Sequence, residues 1–209
     1  MSVEYRLSGE ENANPLPPDF YNRPTLTVAR ELLGARLVRI FEGVRLVGII
    51  SETEAYVGET DLGCHAKAGR TARTRPMYGP PGRAYVYFTY GMHWCLNVVT
   101  EAEGFPAAVL IRAIETVEGI GVVESRRAKA NRANWTNGPA KLTMAFGIDS
   151  SFNDADLTST ASGLWIETGS PTPEEAVTIG PRVGLYSVPE PWKSVPWRFL
   201  VKKPILDIR

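Results

Sequence analysis

The chain has 209 residues, 44% of them hydrophobic, which suffices for one domain with a real core or for two small ones. Its 23 basic and 23 acidic residues cancel, and a zero net charge argues on its face against a nucleic-acid partner. No apolar run approaches the roughly 18–20 residues a membrane span needs, the N-terminus lacks the pattern of a signal peptide, and Cys64 and Cys95 alone make no secreted disulfide framework. The expected protein works in the cytoplasm, away from membranes.

The distribution of charge changes the first impression. Between Asp61 and Glu101 there is no acid, yet Lys67, Arg70, Arg73, Arg75 and Arg83 all fall there. Between Glu124 and Asp149 the same holds, with Arg126, Arg127, Lys129, Arg132 and Lys141. Both stretches are rich in Gly, Pro, Asn and aromatics, as suits loops facing a phosphate backbone. Two solvated faces balanced by acid elsewhere are the plain alternative.

In chain order, residues 1–18 read as a flexible arm, polar and then Pro-rich, and 19–209 as a single domain. PTLTVARELLG reads as a short helix with Leu26, Ala29, Leu32 and Leu33 as its stripe and Gly34 as its stop. ARLVRIF and VRLVGIISETEAY flank Glu42-Gly43 as a hairpin, and the period of two puts Glu52, Glu54 and Tyr56 on one face. Residues 57–83 have little periodicity and read as a long functional loop. AYVYFTYGMHWCLNVVT returns as a hairpin turning at Tyr90-Gly91, with Thr89 opposite Met92, Tyr87 opposite Trp94, and Tyr90 at the tip. AAVLIRAIE is a buried strand carrying Arg112. VVESRRAKANRANW and GPAKLTMAFGI read as helices, and GLWIET, GPRVGLY and WRFLVKK as strands around the turn VPEPWKSVP. The order is mixed and not βαβ, so one α+β domain is expected.

Within that frame, Glu54 lies among Val, Ile and Tyr, where a carboxylate is costly unless paired, and Arg112 is its natural partner. The pair is either a structural ion pair or a general base oriented on water. Cys64, His65, His93 and Cys95 lack the spacing of a zinc site, so no metal is expected. There is no P-loop, dinucleotide fingerprint or G-x-S-x-G elbow, and no cofactor is expected. Lys141 in NGPAKL suits a phosphate contact or plain exposure better than a Schiff base. Tyr56 and Tyr87, read as lying on neighbouring strands with His65 near, form a slot for a planar ring. An aromatic at a hairpin tip, flanked by arginines, suits insertion into a base stack. Basic loops, wedge, flat slot and an acid with water are the parts that chemistry on a flipped nucleobase requires.

These same segments resemble a known family. ETEAY, with His65 nine residues after Tyr56, then RTARTR, PGRAYVYFTYGMHWCLN, IRAIE, NGPAKL, PRVG and WRF are similar, in order, to the alkyladenine (3-methyladenine) DNA glycosylases over about Asp19 to Lys202. The resemblance implies a mixed domain with a curved antiparallel sheet, surrounding helices and a protruding β-hairpin. It implies a monofunctional enzyme acting on damaged double-stranded DNA, in which water attacks C1′ of the flipped nucleotide; a monomer is the default, since no exposed apolar repeat suggests an oligomer. Glu54 would activate that water, with Arg112 and the backbone carbonyl of Val183 helping to hold it. Tyr56, His65 and Tyr87 would sandwich the damaged base, and Asn97 would screen against the exocyclic amine of guanine. Tyr90, with Met92 beside it, would fill the gap in the duplex, and Arg70, Arg73, Arg75 and Lys141 would meet its backbone. Three features depart from the family pattern: the Pro-rich YSVPEPWKSVP after PRVG, Ala140 where some relatives carry a hydroxyl, and the neutral net charge. A non-catalytic nucleic-acid-binding module with the same loops and wedge is the alternative; a formyltransferase-like enzyme would need a cofactor motif that the sequence lacks.

Overall fold

A computed structural model of the chain describes residues 13–202. Two short helices come first, α1 (Pro18–Tyr21) and α2 (Thr25–Glu31), followed by the hairpin β1 (Arg36–Phe41) and β2 (Val44–Val57). After a long loop come β3 (Ala84–Thr89), β4 (His93–Val99) and β5 (Ala107–Glu118). Then follow α3 (Ile120–Arg126), α4 (Pro139–Phe146), β6 (Leu164–Glu167), β7 (Val177–Gly180) and β8 (Arg198–Val201). The eight strands make one antiparallel sheet in the order β3-β4-β5-β2-β1-β6, with β8 on β2 and β7 outside β8. The protein is a mixed α+β fold of one domain, as expected.

Strand β2 is the spine of the sheet. Its first half pairs with β1 and its second half with β8, while β5 runs along the opposite edge. Its alternation breaks twice near the middle: Ile50 faces Ile114, Glu52 faces Ala113, and Thr53 faces Ile111. Ser51 and Arg112 are thus the residues skipped by the ladder. Bulges of this kind bend a strand and re-aim a side chain, and here they deliver Arg112 to the face that carries Glu52 and Glu54.

The main core lies under α2 and α4, where Val28, Leu32, Leu33, Ile50, Ile111, Leu142 and Phe146 are all buried. Leu26, expected in the α2 stripe, is only half-buried, and Val28 takes the inward place. Gly34 stops the helix as expected, at φ 91, and a Cβ there would stand 1.9 Å from the Ser170 carbonyl oxygen. Helix α4 is fixed to the sheet by the Thr143 hydroxyl, which donates to the Trp94 carbonyl at 2.9 Å. That contact brings its start, Pro139 and Ala140, toward the open ends of β4 and β5.

Other expectations need correcting. Residues 1–12 of the expected arm lie outside the described residues; residues 13–18 pack, with Leu16 buried and its N–H donating to Ile166 at 2.8 Å. In the second hairpin Thr89 faces His93, Phe88 faces Trp94 and Tyr87 faces Cys95. The loop therefore has three residues, Tyr90, Gly91 and Met92, with Tyr90 at φ 52 and Gly91 at φ 68. The helix expected over 122–135 ends at Arg126, and Trp135 folds back so that its indole N–H donates to Ala130 at 3.0 Å. GPRVGLY is not a strand, because the Val183 N–H donates to a carboxylate instead of a ladder; the strand there is β7, which ends at Gly180. Tyr56 and Tyr87 stand on β2 and β3, which β4 and β5 separate. Among the described residues no helix is long and apolar enough to cross a membrane.

Candidate active site

A cavity of about 320 Å³ opens where β3, β4 and β5 meet the loops around 63–65 and 183–185 and the start of α4 at 139–140. Its wall includes Tyr56, His65, Tyr87, Tyr90, Asn97, Arg112 and Val183, so residues spread over 128 positions of sequence converge on one space. Directly behind the wall lies Glu54, fully buried.

The Glu54 carboxylate is held on three sides. Its Oε1 accepts the Val183 N–H at 2.6 Å, and its Oε2 accepts the Tyr56 hydroxyl at 2.8 Å. Arg112 Nη1 reaches Oε2 at 3.3 Å, a looser contact than the 2.8 Å bond from Arg112 Nε to Glu52. Glu52 also accepts from Arg198 Nε at 2.6 Å. The expected Glu54–Arg112 pair is therefore one corner of a four-residue network, and Glu52 takes the larger share of both guanidinium groups. Burial pushes the Glu54 pKa up; the Arg112 charge and then the Val183 and Tyr56 hydrogen bonds pull against it, and burial prevails. The same burial, with the Glu54 charge beside it, holds the Tyr56 hydroxyl protonated as a donor.

Tyr56 is backed by a cation. The Arg182 guanidinium lies 4.7 Å from the Tyr56 ring centroid and 5.1 Å from that of Trp197. Arg182 is itself completely buried, paired with buried Asp61 at 2.5 and 2.8 Å, and donates to the carbonyls of Ala55 and Trp192. Asp61 further accepts the N–H groups of Val57 and Gly63, so one ion pair ties the end of β2 to the loop after it and to the 182–192 segment. Sequence reasoning missed both partners. The available signal was Asp61 as the last acid before the long basic stretch, and Arg182 within the PRVG motif.

His65 opens a short helical turn in which the Cys64 thiol accepts the Ala66 N–H. Its Nδ1 lies 2.9 Å from the Tyr85 hydroxyl, and its ring meets the Tyr87 ring edge to face at 4.5 Å. Burial, followed by the charges of Arg73 and Lys67, pushes its pKa down to about 4. An NMR titration of the His65 ring is expected to stay flat from pH 8 to about 5 and to turn only near pH 4; a midpoint near 6.5 would mean an exposed ring. The sign for stability follows: the unfolded chain takes up this proton near 6.5, so what neutral His65 contributes is complete above that pH and fades as pH falls toward 4.

Asn97 is buried opposite Tyr85, and its Nδ2 donates to the Tyr85 carbonyl at 2.9 Å, which fixes the amide in the wall. Tyr90 and Met92 at the hairpin tip are 83% and 67% exposed, so neither is a packing residue. Of the expected backbone contacts, Arg73 is exposed and stacks at 5.2 Å on Tyr87, a residue that lines the cavity. Arg70 lies over Tyr78 at 5.7 Å, Arg75 is exposed, and the Lys141 ammonium donates to Asn137 at 2.7 Å beside the α4 end of the cavity. Cys64, His65, His93 and Cys95 all line the cavity, yet among the described residues no three His, Cys, Asp or Glu side chains come together as a metal site. The site can thus hold a flat ring among aromatics and set a carboxylate of raised basicity against it.

Comparison with known proteins points the same way. A family model described as "Methylpurine-DNA glycosylase (MPG)" matches residues 19–204. A protein of Methanocella arvoryzae is 50% identical over 189 residues, covering 90% of this chain and 92% of its own. One of Myxococcus xanthus is 48% identical over 189 residues, with 90% and 91% covered, and one of Carboxydothermus hydrogenoformans is 46% identical over 187, with 90% and 95% covered. All three carry the name "Putative 3-methyladenine DNA glycosylase". With a match that spans the fold and every wall of the cavity, the chain belongs to the methylpurine-DNA glycosylase family, hydrolases of base-excision repair.

Proposed function

We propose that this protein releases alkylated purines, 3-methyladenine first among them, from duplex DNA by hydrolysis of the N-glycosidic bond on a flipped nucleotide. The observation that carries the reading is the buried Glu54 carboxylate, held by Val183, Tyr56 and Arg112 behind an aromatic cavity. Glu54 takes a proton from water as the water oxygen bonds to C1′; the bond to the base breaks, and its electron pair leaves with the base. A base alkylated at ring nitrogen is cationic and departs neutral, so it needs little further help. While bound, that cation is attracted to the faces of Tyr56 and Tyr87, worth roughly 0.5–2 kcal/mol. Water reaches the carboxylate past Arg112 and Val183, which line the cavity in front of it, and the Val183 carbonyl completes its seat.

The Asn97 amide, already anchored on Tyr85, screens the exocyclic amine of guanine. Arg70, Arg75 and Lys141 meet phosphates, and Arg73 works at the rim. Tyr90, with Met92, takes the place of the flipped base in the stack. One domain of a single chain, residues 19–209, carries the reaction, in the compartment that holds the chromosome. Hypoxanthine, a neutral base, makes a harder demand because it must be protonated as it leaves.

The test is release of free base from methylated duplex DNA by the full chain. Binding without release would favour the non-catalytic module. Tyr90→Ala is expected to lower kcat/KM for base release by about 5–100-fold, since stacking on an aromatic contributes roughly 1–3 kcal/mol per base. The melting temperature should hold because the ring touches water, and an unchanged kcat/KM would remove Tyr90 as the wedge.

A further inference from the structure

The two most exposed large apolar side chains among the described residues are Tyr90, at 83%, and Tyr186, at 82%. The wedge accounts for the first. Nothing in the site as described above uses the second, and single exposed aromatics are common enough to need no explanation by themselves. Its position is what sets Tyr186 apart. Val183, Gly184 and Leu185, the three residues before it, all line the cavity, and the first of them holds Glu54. Tyr186 is therefore the first residue of this segment beyond the cavity wall, and it is exposed.

The segment that carries it is firmly built. The Val188 N–H donates to the Leu185 carbonyl at 3.1 Å, closing a tight turn around Tyr186 and Ser187. Behind it Arg182 is locked onto Asp61 and onto the Trp192 carbonyl, Trp192 packs on Trp197 with centroids 5.8 Å apart, and Ser194 donates to Glu190. A turn fastened at both ends fixes the backbone from which the ring projects. The aromatic is held out in water beside the mouth, which costs little ordering entropy when a partner arrives.

We propose that Tyr186 is a second aromatic contact to DNA, packing on the base or sugar of a nucleotide flanking the flipped one, on the wall of the cavity formed by residues 183–185. The inference rests on the glycosylase reading. The contact is one of stacking and not of charge, because the turn carries no basic residue and the nearest ones, Lys193 and Arg182, are respectively several residues away and buried against Asp61. It acts on binding and leaves the chemical step alone, since Tyr186 neither lines the cavity nor touches Glu54.

Two measurements on the full chain decide it: binding to a duplex with a tetrahydrofuran abasic analogue across a salt series, and single-turnover base release from methylated duplex. Tyr186→Ala should bind the analogue duplex about 5–100-fold more weakly, with the same dependence on salt and the same release rate at saturating protein. Tyr186→Phe, which keeps the ring, should match the parent, and both variants should melt with it. Equal binding by Tyr186→Ala and the parent overturns the inference while leaving the glycosylase reading intact; a steeper or shallower salt slope overturns the stacking contact. Absence of release by the parent itself sinks the glycosylase reading, and is seen separately from the Tyr186 comparison.

Discussion

Glu54→Gln is expected to release base from methylated duplex DNA about 10²–10⁴-fold more slowly than the parent in single turnover, while binding the same duplex with unchanged affinity. The amide keeps the shape and can still accept the Val183 N–H, so the wall of the cavity stays in place. What it removes is the site for a proton. Stability should hold or rise, because burial disfavours the Glu54 charge more strongly than its partners favour it, and the raised pKa is the sign of that imbalance. The charged form thus exists at a cost to the fold, which the neutral variant escapes. The same shift sets the pH profile. Activity of the parent should fall on the acid side, and the midpoint should lie above 4.5, the ordinary value for this carboxyl, since the carboxylate must be free to act. Release from Glu54→Gln at the parental rate would keep the activity and strike Glu54 from its mechanism.

The second large effect concerns the ion pair beneath the site. Asp61→Ala leaves Arg182 buried with no counter-charge, a change that costs about 3–5 kcal/mol. At roughly 2–4 °C per kcal/mol for a chain of this size, the melting temperature should drop by about 6–20 °C. The double variant Asp61→Leu with Arg182→Met should recover only part of that loss: it removes the unpaired buried charge, but the Val57 and Gly63 N–H groups and the Ala55 and Trp192 carbonyls lose their partners. Activity should not return with it. Without the guanidinium plane, the Tyr56 ring loses its backing and the segment carrying Val183 loses its anchor on Ala55 and Trp192. Thermal melts of the three proteins, with base release measured alongside, separate the roles; a single variant that melts within 2 °C of the parent would show the pair to be dispensable.

Much of this was legible from local rules. The β1–β2 hairpin follows from Glu42-Gly43 between alternating apolar runs, α4 from Pro139 after Asn137, and the single-domain α+β order from the absence of any βαβ pattern. The Glu54–Tyr56 relation is a simple consequence of the strand period. What escaped are features made by tertiary pairing. A bulge that skips Ser51 and Arg112 has no composition of its own, so the guanidinium was expected on Glu54 alone when Glu52 shares it more closely. The three-residue tip of the second hairpin shifted every cross-strand partner by one, which a turn at Tyr90-Gly91 alone could not reveal. GPRVGLY has the look of a strand, yet its amide serves a carboxylate 129 positions away in the chain. The candidate residues that the structure gathers at one cavity were readable by chemical type and motif; the supports behind them, Asp61 and Arg182, were not, because buried pairs distant in sequence leave no periodic trace.

The Tyr56 hydroxyl on Glu54 has one more implication. On the proposed mechanism, the ring that would receive the base and the carboxylate that would activate water are joined by a 2.8 Å hydrogen bond, with Arg182 against the other side of the ring. A base that seats badly and tilts that ring would then strain the bond that helps to aim the carboxylate. Fidelity would then be a matter of timing as well as grip: an ill-fitting purine could be held and let go unharmed, because misfitting would spoil the aim of the proposed reaction.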